Sequence, residues 1–190
     1  MRSWKWGLCV FLFLATTLNY LDRQVMGILA PILQKEMRLG NEDLGWLFSV
    51  FYYSYTFSQF AVGLFLDRSN LRWTYGLAVI TWSVVAALTG LASGFGVLLI
   101  FRLLLGVAES ANWPGALRIV ARALPPGERA LGSGIFTSGT SIGALIAPGL
   151  VLGITSALGR NLISSNTPAI LMRLLVSLLS LKRKLRQMNC

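Results

Sequence analysis

Residues 44–66 read LGWLFSVFYYSYTFSQFAVGLFL, and no Asp, Glu, Lys or Arg interrupts them. The stretch is long enough to cross a bilayer as a helix, which takes about 20 residues. It ends abruptly in Asp67-Arg68-Ser69-Asn70-Leu71-Arg72, a short basic loop. Two further charge-free runs follow, 73–101 and 130–159. Peptide groups find no water in hydrocarbon, so such runs must satisfy their own hydrogen bonds as helices. The expected fold class is therefore all-α: an integral membrane helix bundle of five to six transmembrane helices.

Composition agrees. Of 190 residues, 55% are hydrophobic and 13% charged, against about 25% charged in a soluble domain. The net charge of +10 does not point to nucleic acid, because the cations flank apolar runs and form no basic face interleaved with aromatics. Cys9 lies in an apolar run and Cys190 is the last residue, so no disulfide is expected. With no histidine and no metal-ligand spacing, neither a metal nor another cofactor is expected. The absence of a nucleophile–base constellation speaks against an enzyme.

Helices are expected over 6–33, 44–66, 73–92, 97–124 and 128–154, forming a bundle over 1–154. Arg2 and Lys5 precede the first apolar run, but no small-residue cleavage site follows it, so it reads as a retained helix. Pro125-Pro126-Gly127 stops the fourth helix. With the N-terminus in the cytoplasm, Arg2, Lys5, Arg68, Arg72, Arg118, Arg122 and Arg129 fall on that side. Lys35 and Arg38 fall opposite, accompanied by Glu36, Glu42 and Asp43. The bias favours a cytoplasmic N-terminus in a multi-pass protein of the cell membrane. The tail, 155–190, differs in character. Its apolar stretch 168–181 is short for a span and contains Arg173, and a basic cluster follows. It reads either as a marginal sixth helix or as an interfacial amphipathic one.

Asp22, Arg23, Arg102 and Glu109 stand inside apolar runs. A mid-bilayer charge costs about 2.5–3.5 kcal/mol on an insertion scale, so such groups face a bundle interior or a watery cavity. Either they form buried ion pairs that fix packing, or they make a substrate and proton site; their spacing favours the site. Arg102 and Glu109 are seven apart and share a helix face, which Asn112 and Trp113 extend. Asn19 and Arg23 are four apart, beside Tyr20 and Gln24. Tyr52, Tyr55, Gln59 and Gly63 form a stripe on the second helix; Ser133, Thr137, Thr140 and Ser141 form one on the fifth. These two stripes suit interhelical hydrogen bonds as well as a ligand. Two guanidinium groups suit a carboxylate ligand, and a carboxyl out of water can carry a proton. Gly132, Gly134, Gly139 and Gly143 permit close approach of another helix.

The chain resembles the N-terminal six-helix half of a major facilitator superfamily transporter. The stretch from Gly63 through Asp67, Arg68 and Asn70 to Arg72 looks like the superfamily's loop signature, with Asn70 where glycine is usual. Asn19-Tyr20-Leu21-Asp22-Arg23, Arg102 with Glu109, Asn112-Trp113-Pro114, Glu128-Arg129-Ala130, Thr137-Ser138-Gly139 and the run from Gly143 to Pro148 are similar to the anion:cation symporters, nearest the hexuronate and galactonate branch. The resemblance covers residues 6–154. It implies proton-coupled symport of a sugar acid or related organic anion. It also implies proton handling by Asp22 and Glu109, and anion binding by Arg23, Arg102, Tyr55 and Gln59. Asn19, Asn112 and Thr140 join the expected binding set, Thr140 where relatives carry a longer polar side chain. Gly63, Asp67, Arg68, Arg72, Glu128 and Arg129 are the implied cytoplasmic gating network. The expected partners are the anion, protons, the bilayer of a bacterial inner membrane and a missing C-terminal half. From about Thr155 the sequence departs from the family, as a frameshift or truncation would produce, and a half alone is expected to be inactive. The competing readings are a transporter of the same fold with other cargo, such as a drug exporter, and a non-transporting oligomeric membrane protein.

Overall fold

The computed structural model describes residues 2–90 and 92–158. They form six helical segments: α1 (Arg2–Met37), α2 (Asn41–Arg68), α3 (Leu71–Thr89), α4 (Phe95–Glu109), α5 (Asn112–Ala123) and α6 (Pro126–Leu158). There are no strands among the described residues. The expected sixth helix over 168–181 lies outside the described residues.

Helices occupy the stretches named above. Over 97–124 the hydrogen-bond ladder is interrupted at Ser110–Ala111, but both residues keep right-handed helical backbone, so α4 and α5 follow one another within one apolar span, Phe95–Ala123. Pro114 has no N–H to give the Ser110 carbonyl, and its ring crowds that carbonyl, so the ladder breaks one turn before it. Regular bonding resumes with Gly115 N–H donating to the Ala111 carbonyl at 3.0 Å.

The turns are built by local chemistry. After α1, Arg38 adopts a left-handed φ of 53°, and Leu39 N–H donates back to the Gln34 carbonyl at 3.1 Å. This six-residue closure normally uses glycine. Leu33 and Leu39 both pack against the adjoining core of Met26, Leu47 and Leu98, a contact that commonly accompanies such a turn. At the start of α2, Asp43 accepts from Gly40 N–H at 2.8 Å and places its charge at the positive end of the helix. Asn70, in the signature loop, accepts from Thr74 N–H at 3.0 Å as α3 begins.

α1 packs chiefly on α6, and α4 packs on α2 and α3. Lipid tails are as apolar as leucine, so close van der Waals contact has to drive this association. Glycines supply the closeness. A Cβ at Gly139 would lie 2.6 Å from the Phe13 carbonyl oxygen, and one at Gly143 2.5 Å from that of Thr17. Gly106 lets α4 approach the Phe51 carbonyl of α2 equally closely, at 2.5 Å. The outer surface is apolar: Phe57, Phe60, Leu64, Trp73, Leu77 and Leu145 are all well exposed. An apolar exterior with polar groups inside is the distribution of a membrane bundle.

Three apolar clusters fill the interior. One, toward the end that holds the N-terminus, contains Cys9, Leu12, Tyr75, Val120 and Phe136. A second contains Phe51, Trp82, Val85 and Leu105. The third, at the opposite end, contains Met26, Leu47 and Leu98. The charged residues of α1 and α4 are embedded among them.

Candidate functional site: a buried charge cluster

The structure brings the four intramembrane ionisable residues together. Arg23 Nε donates to Glu109 Oε2 at 2.9 Å, bridging α1 and α4. Glu109 is fully buried and the Arg23 side chain is 13% exposed. The Arg23 guanidinium lies over the Tyr55 ring, 4.3 Å from its centroid, with Phe51 and Tyr20 each at 5.3 Å. Such faces stabilise a cation once water is excluded. Arg102 lies 5.9 Å from the Phe51 centroid and interacts electrostatically with Glu109 and Asp22. Asp22 is buried, and its Oδ2 accepts from Trp82 Nε1 at 2.9 Å.

Sequence spacing put Arg102 and Glu109 on one helix face, and both are buried in the bundle. The direct partner of Glu109 is nevertheless Arg23 from the other helix. This cross-helix pairing leaves polar capacity unspent. Arg102 Nε, Glu109 Oε1, Asn19 Nδ2 and Thr16 Oγ1 are buried and have no hydrogen-bond partner among the described residues. An unmet buried group costs about 1–3 kcal/mol. Here four such atoms belong to the facing segments α1 and α4 and include both an arginine and a carboxylate.

The other expected residues divide. Tyr55 stacks on Arg23 and accepts from Gln59 Nε2 at 2.9 Å, so both belong to the cluster's α2 wall. Asn19 is buried with its amide unspent. Asn112 instead accepts from the Tyr75 hydroxyl at 2.8 Å, tying α5 to α3. Thr140 donates to the Thr137 carbonyl of its own helix at 2.8 Å. Of the gating set, Arg129 Nε donates to the Leu124 carbonyl at 3.1 Å across the α5–α6 turn. Arg68 is exposed, while Gly63 and Glu128 are half-buried. The side chains of Asp67 and Arg72 lie outside the described set.

Three residues escaped the sequence reading. Trp82 and Tyr75 lie in a charge-free run, with no polar residue three or four positions away inside that run to single them out. Thr16 carried a usable signal, since it lies three residues before Asn19 and seven before Arg23, on their face. No group of three or more His, Cys, Asp or Glu that could hold a metal occurs among the described residues.

A family model described as Major Facilitator Superfamily matches residues 12–184. The chain belongs to that superfamily. The match extends beyond 154, into the tail that the sequence reading set apart. A probable galactarate/D-glucarate transporter from Pseudomonas putida is 36% identical over 140 residues, covering 70% of this chain and 31% of that protein. A hexuronate transporter from Bacillus subtilis is 35% identical over 147 residues, covering 77% and 35%. The hexuronate transporter of Escherichia coli K12 is 31% identical over 152 residues, covering 80% and 35%. The chain thus spans about a third of the length of these relatives. Among solved structures, a bacterial homologue of the human lysosomal transporter Spinster, inward-facing and occupied, superposes with a TM-score of 0.72 at 26% identity, over 93% of this chain and 43% of that one. Its unoccupied form gives 0.74 at 24% identity, over 92% and 41%. The superfamily membership and these transporter relatives place the chain with transporters and not with enzymes.

Proposed function

We propose that this chain is the N-terminal half of a proton-coupled symporter for a sugar acid, a hexuronate-like organic anion. The observation that carries the reading is the unspent Arg102 Nε beside the Arg23–Glu109 pair. An arginine held in a buried site without a hydrogen bond to that atom is a ready partner for a carboxylate. The names of the sugar-acid relatives support the same class.

A coupling scheme follows from this proposal. While Glu109 is ionised it occupies Arg23. A proton on Glu109 weakens that pair and releases the Arg23 guanidinium toward the anion, beside Arg102. Asn19, Tyr55 and Gln59 then serve the hydroxyl groups of the sugar acid. Asn112 and Thr140 take second rank in this scheme, because their side chains are engaged elsewhere. Asp22 is the second proton-handling carboxyl. Gly63, Asp67, Arg68, Arg72, Glu128 and Arg129 form the cytoplasmic gate, with the N-terminus in the cytoplasm, the side the cation bias favours. Transporters of this architecture bind substrate between two halves, so activity requires a C-terminal half, and this chain alone does not transport.

The test is uptake of labelled glucuronate by cells. One strain carries the full chain alone. Another carries the full chain followed by the C-terminal half of the Bacillus subtilis hexuronate transporter, the completed protein. The completed protein is expected to accumulate the label, and its Arg102→Ala variant to lose both uptake and binding. Accumulation by the chain alone would refute the need for a second half. Unchanged affinity of Arg102→Ala by calorimetry would remove Arg102 from the anion site.

A further inference from the structure

Trp82 stands in the middle of α3, in a run with no charged residue. Tryptophan in membrane helices concentrates at the water interfaces, where its N–H is easily satisfied. Trp82 is instead buried, 3% exposed, and packs with Phe51, Val85, Ala86 and Leu105. Its one polar atom, Nε1, donates to Asp22 Oδ2 at 2.9 Å.

This bond decides how the charges pair. Two carboxylates and two arginines share the cluster. Glu109 takes Arg23 directly. Asp22 is in electrostatic range of Arg102 and Glu109, yet among the described residues it forms no ion pair within contact distance. Its hydrogen bond goes to α3. Arg102 Nε has no hydrogen-bond partner among the described residues.

We propose that Trp82 is a positioning residue for the anion site: its N–H holds the Asp22 carboxylate toward α3 and so keeps the Arg102 guanidinium open to the substrate's carboxylate. This inference rests on the sugar-acid reading above. Without the N–H donor, a buried carboxylate lacks a bond it needs, and the cation in electrostatic range is Arg102. Asp22 then competes with the anion for the same guanidinium. Trp82 touches no substrate in this account; it acts through Asp22.

The experiment measures equilibrium binding of glucuronate by calorimetry, and uptake kinetics, in the completed protein. Trp82→Phe keeps a flat ring and removes the donor. It is expected to weaken binding by about tenfold, the scale of one charge-assisted hydrogen bond. KM should rise while the rate at saturating substrate holds. Trp82→Met, which loses the donor and more of the volume, should weaken binding to the same degree. The decisive comparison sets Trp82→Phe combined with Asp22→Ala against Asp22→Ala alone: with no carboxylate left to compete, losing the indole N–H should cost no further affinity. Binding by Trp82→Phe as tight as in the unaltered protein would overturn the inference. A loss that scales with lost volume, or that persists undiminished in the Asp22→Ala background, assigns Trp82 to packing and also overturns it. If the unaltered completed protein does not bind glucuronate, the sugar-acid reading falls and this inference falls with it. Binding by the unaltered protein with no effect of Trp82→Phe removes the inference alone.

Discussion

The two sides of α1 are built on opposite principles. Toward α6, backbone meets backbone: Gly139 and Gly143 admit the Phe13 and Thr17 carbonyls with no room for another carbon. Toward α4, contact is made by the Arg23–Glu109 pair, with buried polar atoms left over on both helices. The first side has one arrangement, set by sterics. The second is held by side-chain charges, with polar capacity to spare. A helix seated firmly on one side and electrostatically adjustable on the other can report the presence of an ion or proton without losing its place in the bundle.

The strongest challenge to the adjustable side is Glu109→Gln in the completed protein. Glutamine keeps the shape and an acceptor but cannot cycle between charged and neutral forms. Proton-driven accumulation of glucuronate should fall to background, measured against the unaltered protein with an imposed pH gradient. Unchanged accumulation would take Glu109 out of the mechanism and leave the α1–α4 contact as plain packing. The seated side is challenged by Gly143→Leu. Its side chain meets the Thr17 carbonyl and the Tyr20 Cβ, neither of which can yield without moving α1. Overpacking of this kind costs about 1–3 kcal/mol, to be read from thermal unfolding of the chain in detergent; an unshifted transition would show the seat to be soft. The smallest effect sharpens the contrast with a neutral contact. Tyr75→Phe removes the donor to Asn112 and leaves a buried acceptor unmet, a loss of about 1 kcal/mol in the same unfolding experiment. Because Tyr75 lies outside the charge cluster, affinity for the anion in the completed protein should be unaltered.

Much of this was legible in the residue order. A charge inside an apolar run has few places to go, so Asp22, Arg23, Arg102 and Glu109 announced an interior cluster. Gly139 and Gly143, four apart, announced a close helix contact. The pairing within the cluster was not legible. Helical spacing relates residues on one rod, and it joined Arg102 to Glu109; which rod lies opposite is a tertiary fact, and it gave Glu109 to Arg23. Trp82 was hidden for a similar reason. An indole amid valines and alanines looks like filling until the carboxylate facing its nitrogen is known. The break at Ser110–Ala111 had its signal in Pro114, but prolines are tolerated in membrane helices where neighbours satisfy the freed groups. The expectation of one helix over 97–124 took no account of that proline.

That break has a mechanical consequence. A continuous rod would carry Arg102 and Asn112 as one rigid piece. With its ladder interrupted at Ser110–Ala111, the span is two shorter lengths, and Glu109 is the last residue of the first. The outer arm, α5, has 12 residues and so measures about 18 Å. A tilt of about 10° at the joint would swing its far end by about 3 Å, carrying Arg118 and Arg122 with it. An adjustment beside Glu109 that tilted α5 by that angle would displace the bundle's end by about the width of a water molecule.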